Sequence, residues 1–352
     1  MNKYSSLRKD ERGIASIMIV MIIILMLTLI TLSMARNANR EQRQALDRQL
    51  SGQAFYAAES GINDTIKYIR ENLTTAPRKK ANCDDPPTLL ALSGNAQGQV
   101  GNDSVIKYSC VLYDREPPTI EFDSVSSDSS TVVPVQNGNG TGISSLAISW
   151  DNPDLNGGTN FSCPAMASLP QSSNYTCDVG MLRIELINSN PSDLNRTSLI
   201  NNDFTAFIYP SNNTEQAVDR VGNTGVASGV FVRGTCNSSG TPHKCTAHIN
   251  NVGVGGDAQL YLRVKTLYKS KSAVIISGVD SSGNAVNFKG AQIIVDATGK
   301  ANDVLKRLQV RVPIIPKYEE SDYAIKTSES LCKLIGVYPS QATNSSDPSC
   351  GY

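Results

Sequence analysis

From Ile14 to Met34 the chain carries no charged side chain, while Lys3, Arg8, Lys9, Asp10, Glu11 and Arg12 crowd the residues before it. About 21 residues rising about 1.5 Å each make a helix of roughly 32 Å, the thickness of a bilayer's hydrocarbon core. A cleaved secretory signal has a shorter apolar stretch, about 7 to 15 residues, followed by a small-residue cleavage site. The run is longer than that and no such site follows it, so it reads as a transmembrane helix over 14–35. Charge does not orient it, because Arg36, Arg40, Arg43 and Arg48 after the run balance the basic residues before it.

No proline or turn cluster interrupts the chain until Ala76 and Pro77, so the helix is predicted to continue through residues 36–75. Within this continuation Phe55, Ala58, Ile62, Ile66, Ile69 and Leu73 recur at spacings of three and four, one stripe of a helix. The bilayer holds only the first third or so of such a rod. The stripe is therefore expected to dock on a folded head, at a gross gain on the order of 10 kcal/mol.

All eight cysteines follow residue 80: Cys83, Cys110, Cys163, Cys177, Cys236, Cys245, Cys332 and Cys350. An even number confined to one side of a membrane segment points to disulfides in an oxidising compartment, which puts the C-terminal part outside the cytoplasm. Eight cysteines allow roughly 105 pairings; pairing in order of sequence is the expectation adopted. Zinc is disfavoured, since no C-x-x-C knuckle occurs and the neighbourhood of His243 and Cys245 offers too few ligands.

The segments DSVIKYSCVLYD, SLAISW, MLRIELI, DFTAFIY, GVFVRG, AQLYLRVKTLY, SAVIISG, AQIIVDATG and VLKRLQVRVPI alternate at the strand period between clusters of Gly, Asn, Ser, Asp and Pro. The last two are close enough to form a hairpin across GKAND, with Leu308, Val310 and Val312 on one face. The stretches SDSSTVVPVQNGNGTG and SWDNPDLNGGTNFS read as long loops. The expected fold class is α+β: a long N-terminal transmembrane and amphipathic helix packed on an antiparallel, β-rich, disulfide-stabilised head.

No catalytic constellation stands out. His243 and His248 lie within and just beyond a polar loop from Cys236 to Cys245, and no G-x-S-x-G, H-E-x-x-H, Walker or dinucleotide motif occurs. Asn152, Asp154 and Asn156, followed by Gly157, match the opening of a calcium loop, but its twelfth position is Cys163 rather than Glu, and a plain turn is the better reading. A formal net charge of zero gives no global field for nucleic acid, and no cofactor is expected.

A charged leader ending in Arg12-Gly13, an apolar run, and one helix continuing through REQRQALDRQLSGQAFYAAESGI, with Arg48-Gln49-Leu50 and Ala57-Ala58-Glu59, together resemble type IV pilins and pseudopilins, and most sharply the PilX-type minor pilins. The resemblance spans about residues 8–73. It implies a leader peptide over 1–13, cut after Gly13 by a prepilin peptidase so that Ile14 becomes a methylated terminus, and an extracytoplasmic head over 76–352 closed by a Cys332–Cys350 loop. It further implies a non-enzymatic subunit of the cytoplasmic membrane, able to enter the pilus, with other pilins, the inner-membrane assembly platform and membrane lipid as partners. The sequence departs from major pilins at the fifth mature position, where Met18 stands in place of Glu. A subunit without that charge suits the tip or initiation of a fibre better than its repeat. Two further readings are a type II secretion pseudopilin and a membrane-anchored adhesin using the loops between residues 123 and 176.

Overall fold

The computed structural model describes residues 12–93, 98–100, 103–154, 163, 170–189, 197, 201–221, 224–226, 229–237, 245–253, 259–314 and 320–321. In chain order these form helix α1 (Arg12–Glu71), β1 (Lys79–Lys80), the short helix α2 (Leu89–Ser93), β2 (Gln99–Val100) and β3 (Asp103–Asp114). There follow β4 (Thr119–Ser126), β5 (Ser129–Pro134), β6 (Ser145–Asp151), β7 (Met181–Ser189), β8 (Phe204–Ser211), β9 (Val218–Asp219), β10 (Val230–Cys236), β11 (Cys245–Asn250), β12 (Gln259–Leu267) and β13 (Lys271–Val279). The last strands are β14 (Gln292–Ala301), β15 (Val304–Pro313) and β16 (Glu320–Ser321).

The chain divides into two compact units, and the division is not at the end of the helix. The first comprises residues up to Arg115 together with Ile293–Val312; the second comprises Glu116–Gln292 and the residues from Pro313 onward. The second unit is thus inserted, in sequence, between β3 and β14 of the first.

In the first unit α1 runs 60 residues without a break. Its first half, from Ile17 to Met34, leaves every large apolar side chain at least half exposed, and the helix is long and apolar enough to cross a membrane. Its second half covers a sheet of order β1-β3-β14-β15, with β2 also on β3. The β14–β15 hairpin turns at Asn302, held at a positive φ of 51° that Asn tolerates better than most residues. Alternation then puts Ile293, Val295, Ala297, Gly299 and Ala301 on one face of β14, opposite Tyr113, Val111, Tyr108 and Ile106 of β3. Side chains on this face shrink from Ile293 to Gly299.

The second unit is a sheet of order β16-β5-β12-β7-β8-β10-β11-β6-β13-β4, with β9 on β11. Strands β8 and β10 pair in parallel, as do β9 and β11; the other pairings are antiparallel. Strand β4 ends this order and β5 stands next to its other end, yet the two are separated in the chain only by Ser127 and Asp128, so the sheet rolls round on itself. Inside it lies one core built from alternate residues of each strand, including Leu146, Ile148, Trp150, Leu182, Ile184, Phe204, Ile208, Leu262 and Ile276. Trp150 meets the requirement that a buried indole find an acceptor by donating to the Gly180 carbonyl at 2.9 Å.

Every alternating segment picked out in the sequence is a strand. One apparent loop is not wholly a loop: β5 occupies SSTVVP, where Val133 is buried in the core and Val132 pairs with Arg263 of β12. Its serines and terminal proline disguised a strand; Pro134 lies beyond the two residues, Ser129 and Ser130, that pair with β16, so on that side it costs no ladder bond. Cys83 is joined to Cys110, Cys163 to Cys177 and Cys236 to Cys245. Cys332 and Cys350 lie outside the described residues, as do His243, Asn156 and residues 322–352.

Candidate functional site

The most constrained region of the first unit is the seam where α1 meets its sheet. The buried helix residues are Ala54, Ala57, Ala58, Gly61, Ile62, Thr65 and Ile69, spaced to form one stripe. Ala58, Ile62 and Ile69 fall where the sequence stripe puts them, and Ile66 is half-buried. Phe55 and Leu73 do not: they are 44% and 46% exposed. Leu73 follows the end of α1 at Glu71; for Phe55 the reason is backbone proximity. A Cβ on Gly299 would overlap the carbonyl oxygen of Ala54 and the amide nitrogen of Ala58, so helix and strand approach closely only where both present small residues. A large ring at the centre of that face would push the sheet away, and Phe55 points outward, edge-on to Tyr56 at 5.8 Å.

One turn further along, Gly61 faces the Tyr108 ring, which a Cβ there would meet at 2.9 Å. The Tyr108 hydroxyl reaches back to the helix and donates to Asp64 at 3.0 Å, a polar anchor at the border of an apolar seam. Thr65, buried, returns its hydroxyl to the Gly61 carbonyl at 2.6 Å, so no donor is stranded there. Tyr113 lies on the same sheet face; burial, with Tyr68 nearby, pushes its phenol up to about 12. It is a packing group, not an acid or base at neutral pH.

The helix exit is held by charge. Arg115 donates to the Leu73 carbonyl, placing a cation where the helix dipole ends. Lys80 is almost fully buried, and its ammonium donates to the carbonyls of Cys83, at 2.8 Å, and Asp85. Desolvation lowers its pKa, and Asp85 and Asp84 oppose that shift. With the Cys83–Cys110 bond this fixes the loop after α1 to β3.

The remaining sequence candidates are separate from this seam. Gly13 and Ile14 lie in the first turn of α1, and Met18 is 65% exposed on its apolar half. His248, just beyond the Cys236–Cys245 loop, is in strand β11; its Nδ1 is 2.8 Å from the Glu215 carboxylate, which also accepts from the His248 backbone N–H. Asn152 and Asp154 form a turn: Asn152 Oδ1 accepts from the Asp154 N–H at 3.0 Å, and the Lys271 ammonium lies 2.9 Å from the Asp154 carboxylate. Among the described residues no cluster of three or more His, Cys, Asp or Glu could hold a metal ion.

A long helix, apolar in its first half and locked by small residues onto a short antiparallel sheet in its second, fits a single-pass membrane anchor followed by a β-rich region. Residues 12–63 match the family described as PilX N-terminal, supporting a PilX-type pilin. No curated protein and no solved structure matches the chain. The matched segment ends inside α1, and within it lie Ala54, Ala57, Ala58 and Gly61, so the stretch that carries the likeness is also the stretch that makes the seam. The small-residue face was visible in Ala57-Ala58 and Gly61, but a search for large apolar residues passes over it.

Proposed function

We propose that the protein is a minor pilin that assists assembly of a type IV pilus, acting at the tip or in the initiation complex, with Gly13 as the prepilin peptidase site and Ile14 as the mature terminus. The observation that carries this reading is the coincidence of the PilX-type match with a continuous α1, apolar in its first half and docked by small residues in its second. The helix is the element a fibre would hold, and the sheet-bound half keeps the rest of the chain attached when the membrane half is drawn out of lipid. Met18 favours the tip or initiation over the repeating shaft: a buried Glu at that position can pair with a neighbour's terminal amine, and a subunit lacking it offers no such pair. Other pilins, the prepilin peptidase and the inner-membrane assembly platform are the expected partners.

The test is deletion and complementation. Cells lacking the protein should assemble markedly fewer surface pili by electron microscopy, and wild-type protein should restore them. The Met18→Glu variant should be processed normally but be found along the shaft by immunogold labelling. Normal piliation in the deletion would overturn the assembly role; unchanged placement of the variant would overturn the tip assignment.

A further inference from the structure

Between the apolar half of α1 and the half that meets the sheet lies a stretch of helix that belongs to neither. From Ala35 to Gln49 every residue is exposed, and Leu50 is the first beyond the apolar run to be half-buried. About 15 residues rising about 1.5 Å each make roughly 22 Å of helix exposed on all sides. A helix that is polar all round is held by ion pairs along itself or by a partner outside itself. The first kind is missing: Arg36, Arg40, Arg43, Arg48, Glu41 and Asp47 make no ion pair and no side-chain hydrogen bond among the described residues. Arg43 and Asp47 stand four positions apart, but with the cation nearer the helix N-terminus, the weaker order for such a pair.

The cations are not scattered. Arg36, Arg40 and Arg43 are spaced four and three apart, which gathers them on one face within an arc of roughly 60°. Arg48 falls well off that face, and Asp47 follows on it one turn beyond Arg43, farther from the apolar run. No lysine stands between Lys9 and Lys67, so every cation of this stretch is an arginine. A guanidinium fork grips phosphate oxygens in pairs, where an ammonium offers only a point charge.

Their place along the helix selects the partner. Within the apolar run Thr28 and Thr31 return their hydroxyls to the carbonyls of Leu25 and Leu27, at 2.8 and 3.0 Å, so neither asks anything of lipid. Arg36, Arg40 and Arg43 then lie roughly 3, 9 and 14 Å beyond Met34 along the axis, next to a headgroup layer about 5–7 Å thick. Helical side chains lean toward the helix N-terminus, which here is toward the bilayer, and an arginine stem lets its charge snorkel several ångströms further. The three guanidinium groups thus converge on the phosphate layer. A second copy of the chain fits less well: between Ala35 and Leu50 it brings four arginines against two acids, so like charge would face like.

We propose that Arg36, Arg40 and Arg43 form a binding site for the phosphate of anionic phospholipids in the leaflet where the apolar run ends, and that this contact fixes the depth of α1 in the bilayer. The site depends on α1 crossing the membrane and not on the pilus role.

The test is native mass spectrometry of the full chain in detergent micelles, titrated with phosphatidylglycerol, whose phosphate carries its whole net charge, and with phosphatidylcholine as the zwitterionic probe. Phosphatidylglycerol should bind about tenfold tighter or more. Arg40→Gln should lower that preference about fivefold, as the loss of one headgroup-facing cation implies, and the combined replacement Arg36→Gln, Arg40→Gln and Arg43→Gln should abolish it. Arg48→Gln, on another face, should leave it unchanged. The three side chains are exposed, so each variant should melt as wild type does, which separates lost contact from lost fold. Carbonate-resistant incorporation into phosphatidylcholine vesicles checks the membrane span by itself. A chain that does not incorporate overturns span and site together; a chain that incorporates but binds the two lipids equally overturns the site alone. A preference that survives in the folded triple variant would also overturn it, as would a dimer in analytical ultracentrifugation that the triple variant loses, which would assign the arginines to a second copy.

Discussion

Gly299 of β14 lies against the backbone of α1 at Ala58 so closely that no side chain fits between them. This contact explains why the buried stripe of the helix begins with alanines, Ala54, Ala57 and Ala58, and carries isoleucine only from Ile62 onward. Gly299→Ala should push helix and strand apart and lower stability by about 1–3 kcal/mol, the usual cost of overpacking. Gly52, which faces open space on the same helix, gives the opposite expectation: Gly52→Ala should raise stability by about 0.5–1 kcal/mol through helix propensity. Thermal unfolding of both variants in detergent checks the sign as well as the size.

Along the same helix, truncation should distinguish buried from exposed apolar residues. Ile69 is fully buried and Ile69→Ala should cost about 2–5 kcal/mol. Phe55→Ala removes a larger but exposed ring, and its effect on unfolding should stay within about 0.5 kcal/mol. Equal losses in denaturant titrations of the two would mean that Phe55, not the alanine face, meets the sheet.

The disulfides should differ in worth. Cys83 and Cys110 are 27 residues apart, Cys236 and Cys245 only 9. On the chain-entropy account the longer loop constrains the unfolded chain more, by about 1 kcal/mol. Replacing Cys83 and Cys110 by serine should therefore lower the melting temperature more than replacing Cys236 and Cys245.

Asp280 supplies a pH dependence. Its carboxylate accepts the Asn284 and Ser282 backbone N–H groups, each at 2.9 Å, and these bonds, Asn284 first, hold its pKa below the ordinary carboxylate value. A depressed folded pKa gives stability that is present above the ordinary value and is lost as pH falls through the folded one. Asp280→Asn should melt below wild type at pH 7, and the difference should close as the pH drops below about 4. A gap that persists in acid would assign the effect to turn geometry instead of charge.

Much of the fold was legible in the sequence because alternation survives wherever large β-branched residues face a core, as in LAISW and AVIISG. Strand β11 was not, since Cys245, Ala247 and Ile249 form its inner face and two of the three are small. The insertion of the second unit between β3 and β14 left no trace in composition: Arg115-Glu116 and Gln292-Ile293 are ordinary dipeptides inside β-rich stretches. Pairing of β3 with β14 joins residues almost two hundred positions apart, as Ser109 and Thr298 illustrate, and no local pattern encodes it. The helix seam was half legible. Spacing located Ala58, Ile62 and Ile69, while weighting by size selected Phe55, which the close approach at Gly299 keeps off the sheet, and Leu73, which lies exposed past the end of α1.

The central claim is that α1 belongs to a processed, pilin-type subunit, and intact mass with N-terminal sequencing of the protein purified from its native membrane tests it most directly. The account predicts a chain beginning at Ile14, with a mass consistent with methylation of the new amino terminus. A chain still beginning at Met1 would contradict it, leaving α1 as a fixed membrane anchor.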